Sequence, residues 1–326
     1  MAPFLFPAPL TTFAQNPCNP FMKNTLFVLL GPTGVGKTDL SIEIAKHLHT
    51  EIISCDSRQL YREIRIGTAV PEEKYLQQVP HHMIQNLSVE DEYNAGKFEY
   101  DVLNLLDKLF QNHQTVLMTG GSMLYIDAVC KGIDDLPTVD KELRQKLLDR
   151  FENEGLEPLR TELKKLDPDY YEQVDLKNPK RILHALEIYY MTGKPYSSLR
   201  REEAKKRHFD IIKIGLNRDR TELYDQINRR VELMIEEGLV EEARGVYYKR
   251  HLNPLNTVGY KELFAHFDGD FTLEHAIERI QANSRKYARK QLTWFRRDKN
   301  IRWFHPDEKE KVLQYIDEQL SQNEKA

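Results

Sequence analysis

The first clear pattern along the chain is a short unbroken apolar run, Thr25 to Leu30, followed at once by a glycine-rich stretch. A run of this length and purity predicts a strand buried on both faces. From Thr38 to His49 the apolar positions are Leu40, Ile42, Ile44, Ala45 and Leu48, which is helical spacing. Glu51 to Cys55 predicts a second strand that ends at Asp56, and helical segments follow around Pro71 to Gln78 and Ala95 to Asn112. Thr115 to Met118 predicts another strand, ending in Thr119-Gly120-Gly121. Strand and helix in alternation predict an α/β fold, a parallel sheet with helices on both faces.

The pattern then changes. Between Thr138 and Lys206 the spacing is helical throughout: Leu143, Leu147 and Leu148 mark one helix, and Ile182, Leu183, Leu186, Ile188 and Tyr189 another, stopped by Gly193-Lys194-Pro195. Phe209 to Leu216 returns to strand chemistry. The economical expectation is a small all-helical insertion, residues 136–207, within one core made of residues 22–135 and 208–326. Arg220 to Lys249 predicts a long amphipathic helix or pair with a break at Gly238, and Ala276 to Asp298 a strongly basic last helix. The first 21 residues carry Pro3, Pro7, Pro9, Pro17 and Pro20, which preclude a regular element, and no basic residue precedes their apolar stretch. They are expected to be a disordered or non-native leader, with Met22 as the true start.

Composition narrows the class. The chain has 326 residues, 40% hydrophobic and 30% charged, enough for a large core and two domains. No apolar run approaches the ~20 residues that span a bilayer. Cys18, Cys55 and Cys130 form no CxxC pair, so neither a zinc site nor a disulfide framework is indicated, and a reducing cytoplasm fits. The net charge of −4 argues against wholesale coating of nucleic acid. Basic residues nevertheless crowd Arg200 to His208 and Arg279 to Arg302, so a local cationic surface is available.

The sharpest local signal is Gly31-Pro32-Thr33-Gly34-Val35-Gly36-Lys37-Thr38, a GxxxxGK[ST] loop between a strand and an amphipathic helix. Its glycines let successive N–H groups turn inward around an anion, and the helix N-terminus adds positive potential. Lys37 offsets phosphate charge, and the Thr38 hydroxyl suits Mg²⁺. Such a loop indicates phosphate without naming the reaction. The chain contains no NKxD motif of a guanine reader. Asp56 stands at a strand end, where it reads equally as a metal ligand or as a base. Arg220 alone reads as a surface residue at a helix start. His81-His82 are adjacent and share no face, so they make no metal site.

A series of motifs then extends over nearly everything after Met22: GPTGVGKT at Gly31, DSRQLY at Asp56, IGTAVP at Ile66, HHMI at His81, GGSMLY at Gly120, DP at Asp167, NPKRILHALEIYYMTGKP at Asn178, RTELYDQINRRVELMIEEGL at Arg220, VGYKEL at Val258 and RKYARKQLTWFR at Arg285. In these the chain resembles the tRNA dimethylallyltransferase (tRNA isopentenyltransferase) family. The resemblance implies a P-loop NTPase-like core with a helical insertion that contacts tRNA. It implies that the loop Gly31 to Thr38 holds the diphosphate of dimethylallyl diphosphate, with Mg²⁺ as cofactor on Thr38. It implies that the acceptor is the N6 amine of the adenosine 3′-adjacent to the anticodon, position 37. The family's catalytic aspartate falls on Asp56 and its catalytic arginine on Arg220. Its tRNA-contacting positions fall on Asp56, Ser57, Arg58, Gln59, Ser122, Arg144, Lys180, Arg181, Ile182, Leu183 and His184. Ser122 stands where threonine is commoner, and Gly34 where bacterial relatives often carry Ala or Ser; both departures are expected to be harmless. A monomer in the cytoplasm, with no membrane attachment, is the expected form.

The chemistry matches these residue types. An adenine amine is a poor nucleophile, so a base must take its proton while cations absorb charge on the departing diphosphate. Asp56 suits the first task, and Lys37, Arg220 and Mg²⁺ the second. The acceptor adenine is expected to be flipped out of the anticodon loop. Arg285, Lys286, Arg289 and Lys290 are expected to meet RNA phosphates, while Trp294 and Phe295 are expected to pack. Three alternatives remain: an enzyme that prenylates free AMP, ADP or ATP, a P-loop kinase, and a non-catalytic RNA-binding protein.

Overall fold

The computed structural model describes residues 23–134, 136–137, 140–200 and 204–323. The expected leader, residues 1–21, lies outside the described residues. The chain forms two compact units, Met1–Cys130 with Lys206–Ala326, and Lys131–Lys205.

The larger unit is built on six parallel strands: β1 (Thr25–Leu30), β2 (Ile52–Ser54), β3 (His81–His82), β4 (Thr115–Gly120), β5 (Asp210–Leu216) and β6 (Ile301–Phe304), in the order β3-β2-β4-β1-β5-β6. Every residue of β1 is buried, which is why its sequence is apolar without alternation. Helices α1 (Lys37–His47), α2 (Glu73–Leu76), α3 (Ala95–Leu109) and α4 (Met123–Lys131) belong to this unit. Helices α5 (Lys141–Glu154), α6 (Glu157–Leu166), α7 (Pro168–Gln173), α8 (Pro179–Thr192) and α9 (Tyr196–Leu199) form the smaller one. The chain returns to the larger unit in α10 (Arg220–Glu236), α11 (Leu239–Val246), α12 (Tyr260–Phe267), α13 (Leu273–Phe295) and α14 (Lys309–Asn323).

Local chemistry sets the boundaries. Asn94 caps α3 by accepting from the Lys97 N–H at 3.0 Å, and Thr272 caps α13 through the His275 N–H at 3.2 Å. Pro179 opens α8 and Gly193 closes it in a left-handed conformation. Gly238, also left-handed, separates α10 from α11 where the break was expected.

The sequence reading did not name β3, β6, α4, α12 and α14. Strand β3 is two histidines long, and β6 reads as the tail of the basic segment because Arg302 interrupts it. Helix α14 buries only Val312 and Ile316, so its apolar stripe is faint. Both join a core shared with β1, β5 and α1 that includes Phe27, Leu29, Ile44, Ile214 and Ile227. The smaller unit has its own core of Leu147, Leu159, Leu163, Ile182 and Leu186. No helix among the described residues is long and apolar enough to cross a membrane.

Strands β1 and β4 pair from Thr25–Thr115 to Leu30–Gly120, which brings the glycine end of β4 level with the end of β1. There a Cβ on Gly120 would stand 2.7 Å from the backbone carbon and oxygen of Cys55. Backbone cannot yield as a flexible side chain can. Gly120→Ala is therefore expected to cost about 1–3 kcal/mol, read as a lower midpoint with unchanged slope in urea unfolding.

Candidate active site

Strand β1 lies between β4 and β5, so consecutive strands diverge to either side of it. In open parallel sheets the crevice at such a divide, beyond the carboxyl ends of the strands, is where ligands bind. The loop Gly31–Gly36 stands there and leads into α1. Gly34 and Gly36 adopt φ of 77° and 102°, the left-handed region that turns N–H groups inward. A Cβ on Gly34 would also lie 2.8 Å from Ile227 Cγ1. Glycine at this position is thus fitted to Ile227 of α10, a constraint the expectation of a harmless substitution did not contain.

Two long-range groups fix the loop. Gln291 of α13, 2% exposed, accepts from the Thr33 N–H at 2.9 Å and donates to the Gly121 carbonyl at 2.8 Å. Arg218 Nε donates to the Val35 carbonyl at 3.1 Å. Lys37 Nζ donates to the carbonyls of Gly31 and Pro32 at 3.0 and 2.8 Å. Gly31 and Pro32 are buried behind the loop and serve as these acceptors, while Thr33 to Thr38 line the cleft. Burial, with Arg230 nearby, pushes the Lys37 amine down to about 8, and Asp56 opposes the shift.

The cleft has two lobes. One, of about 340 Å³, is lined by the loop, Asp56, Thr119, Arg229, Arg230 and Leu233. The other, of about 460 Å³, is lined by Asp56, Ser57, Arg58, Arg230, Lys261, Asn283, Lys286 and Lys290. Thr33, Asp56, Thr68, Arg230 and Tyr287 belong to both. A carboxylate and a guanidinium therefore stand at the junction between an anion cradle and a second, cation-rich chamber. Burial lowers the Arg230 pKa from its ordinary value, and the negative charge of Asp56 works to raise it. Burial also pushes the Tyr287 phenol up to about 12, with Asp56 adding to the shift, so Tyr287 presents a neutral hydroxyl.

Asp56 stands two residues beyond the end of β2. Its Oδ1 accepts from the Arg58 N–H at 2.9 Å, which forms the turn that presents the carboxylate. The Ser57 N–H donates to Ser122 Oγ at 2.8 Å, so the Ser122 hydroxyl is engaged within the protein. The Gln59 amide is engaged inside the protein, accepting from Ser54 Oγ at 3.0 Å and donating to the Ala69 carbonyl at 2.8 Å. The wall formed by residues 65–69 is held from the other side by Glu242. That carboxylate accepts the N–H groups of Arg65, Ile66 and Gly67 at 2.8, 2.8 and 2.9 Å and the hydroxyl of the buried Tyr260.

Other expected residues fall elsewhere. Arg220 does not line either lobe. It is exposed at the first position of α10, its guanidinium 5.3 Å from the Tyr224 ring centre and its Nε donating to the Tyr224 hydroxyl at 3.1 Å. Arg230, almost three turns along the same helix, occupies the wall that Arg220 was expected to reach. In the smaller unit Ile182 and Leu183 are buried in the core, so their side chains offer nothing to a partner, whereas Lys180 and Arg181 are exposed and His184 partly so. Arg144 makes a two-pronged pair with Glu187 at 2.7 and 2.8 Å and remains half-exposed. Phe295 is buried, and Trp294 Nε1 donates to Asp127 at 2.8 Å. His81 Nδ1 lies 2.8 Å from the Val79 carbonyl, and His82 Nε2 2.5 Å from Glu51. Hydrogen bonds from His113 and His82 hold the Glu51 carboxyl down at about 2.

Gln291, Arg230 and Glu242 are the residues the sequence reading missed. Each lies within or beside a motif already noticed, and only tertiary contact reveals its task.

A parallel sheet with a glycine cradle after its central strand defines a P-loop protein with a phosphate-binding cleft. The IPP transferase family model matches residues 59–298, and the chain belongs to that family. It is 61% identical over 295 residues to tRNA dimethylallyltransferase 1 of Phocaeicola vulgatus, covering 90% of this chain and 98% of that relative. It is 59% identical over 292 residues to the protein of the same name from Bacteroides thetaiotaomicron, covering 90% and 95%. Among solved structures it is similar to the tRNA isopentenylpyrophosphate transferase of Bacillus halodurans, with a TM-score of 0.69, 34% identity, and 93% and 99% of the two chains covered. It is also similar to a eukaryotic dimethylallyltransferase solved acting on tRNA, with a TM-score of 0.70, 27% identity, and 83% and 70% covered. These relatives share the P-loop NTPase-like fold.

The Lys37 amine is charged below a pH of about 8 and loses its proton above it. Affinity for inorganic diphosphate is therefore expected to fall as pH rises through that value, by about tenfold per pH unit at the steepest. Calorimetric titration across neutral and alkaline pH checks this, and Lys37→Arg is expected to remove the inflection.

Proposed function

We propose that the protein transfers a dimethylallyl group from dimethylallyl diphosphate to the N6 amine of the adenosine 3′-adjacent to the anticodon of tRNA, position 37. The observation that carries this is the junction: Asp56 and Arg230 belong at once to the phosphate-cradling lobe and to the cation-rich lobe. A γ-phosphoryl transferase needs no second chamber open to a large polyanion. The names of the relatives, all tRNA dimethylallyltransferases, favour tRNA over a free adenylate as acceptor.

In this reading the loop N–H groups and Lys37 hold the diphosphate, and the prenyl carbon points toward Asp56. The carbon–oxygen bond to diphosphate breaks with its electron pair leaving on oxygen. The N6 lone pair forms the new carbon–nitrogen bond, and the amine proton passes to the Asp56 carboxylate. Arg230 and Lys37 stabilise the charge that gathers on the leaving group. Thr38 at the start of α1 is a hard hydroxyl donor that suits Mg²⁺, which when bound would supply further positive charge to the diphosphate. Arg58, Lys286 and Lys290 meet the RNA in the second lobe, while Arg144, Lys180, Arg181 and His184 of the helical unit meet it elsewhere. Action as a monomer in the cytoplasm completes this reading, with Cys55 and Cys130 both buried.

Incubation with labelled dimethylallyl diphosphate and either unmodified tRNA or AMP tests the assignment. Label in tRNA and none in AMP is expected; label in AMP alone overturns it. Asp56→Ala is expected to lower turnover by about 10³-fold while tRNA affinity stays close to normal. Arg230→Ala is expected to lower turnover by about 10²–10³-fold. Arg220→Ala, which removes a surface contact, is expected to change it less than about tenfold. Equal losses for the two arginines would return Arg220 to the reaction.

A further inference from the structure

Strand β4 pairs with β1 and ends level with it, the place where a P-loop protein commonly carries an aspartate that serves the metal. This chain has Thr119-Gly120-Gly121 there. Thr119 lines the phosphate-cradling lobe together with Thr38 and Lys37. Its Oγ1 is buried and has no hydrogen-bond partner, one of two such side-chain atoms among the described residues. A buried hydroxyl without a partner is costly, so one kept at a ligand cleft points to a partner that arrives with the ligand. Three neighbouring hydroxyls of the same lobe are already engaged: Ser41 donates to the Thr38 carbonyl at 2.7 Å, Ser54 to Gln59 at 3.0 Å and Thr68 to the Ile64 carbonyl at 2.5 Å.

We propose that Thr119 is a positioning residue for the metal–diphosphate, its hydroxyl accepting a hydrogen bond from a water of Mg²⁺ bound in the lobe that it lines together with Thr38. The inference rests on the reading of the loop as a diphosphate and Mg²⁺ site. Mg²⁺ gives up its waters reluctantly and is commonly held through them, so an outer contact of this kind is enough to orient it. A neutral hydroxyl in place of a carboxylate also has a chemical consequence. A second anion beside the metal would offset part of its charge, whereas threonine leaves that charge to the departing diphosphate.

Mn²⁺ serves as a paramagnetic probe of the site in the presence of inorganic diphosphate, with free ion measured by electron paramagnetic resonance. Thr119→Val is expected to raise the Mn²⁺ dissociation constant about tenfold and Thr119→Ser to keep it within about twofold. Diphosphate affinity without metal is expected to be unchanged in both. The metal-free melting temperature of Thr119→Val is expected to be equal to or above the parent's, because an orphaned hydroxyl is lost without loss of shape. Should the valine variant melt lower, Thr119→Ala is titrated in the same way, with the same tenfold shift expected. A valine or alanine variant that binds Mn²⁺ as tightly as the parent overturns the proposal. A parent protein that binds diphosphate yet takes up no Mn²⁺ overturns the metal reading beneath it, and the two results are distinct.

Discussion

The glycine cradle keeps its shape because Gln291 of α13 and Arg218 after β5 grip it from two sides, far from it in sequence. Inward-facing N–H groups repel one another and any cation, and a loop of left-handed glycines has many ways to relax. Gln291 removes that freedom with one amide. Its oxygen takes the Thr33 N–H and its nitrogen the Gly121 carbonyl, so the loop after β1 and the turn after β4 are set at a fixed separation. Both lobes of the cleft inherit their geometry from this tie. The buried position of Gln291 makes it costly to break, since either half of the amide would be left without a partner.

A second tie governs the opposite wall. Glu242 gathers three successive N–H groups and the Tyr260 hydroxyl on one carboxylate, while Gln59 holds the Ala69 carbonyl from the other side. Residues 65–69 are thus fixed although they form no helix or strand. Two walls of the cleft are loops, the glycine cradle and residues 65–69, and each is fastened to a helix by a side chain whose hydrogen-bonding capacity is nearly filled, Gln291 of α13 and Glu242 of α11. Such a site is organised before its ligands arrive, which is where electrostatic stabilisation gains most.

The parts legible in the sequence were those with local causes. Strand β1 could be read because burial on both faces forces an apolar run, and the cradle because anion binding needs glycines and a lysine at fixed spacing. The breaks at Gly193 and Gly238 followed from chain stiffness alone. Position along a helix was not legible. Arg220 and Arg230 lie on one helix and in one motif, and nothing local says which faces the cleft. The register of α10 against the loop decides it, through the contact of Ile227 with Gly34. Ile182 and Leu183 show the same limit in the smaller unit, since a resemblance marks a stretch of helix while packing chooses its exposed face.

The charge balance of the cleft suits a site that takes up polyanions. Lys37, Arg229 and Arg230 line one lobe, and Arg58, Lys261, Lys286 and Lys290 the other, while Asp56 belongs to both. A chain of net charge −4 has therefore concentrated positive potential on one cleft, where Asp39 and Asp56 are the acids of the lining. In the reading proposed above, those cations serve the departing diphosphate while Asp56 takes the amine proton. The two tasks are joined if the proton moves as diphosphate departs. The developing anion then draws the cations toward itself while the amine, its lone pair committed to the new bond, becomes acidic. Asp56, which lines both lobes, is the carboxylate that this reading puts within reach of both events.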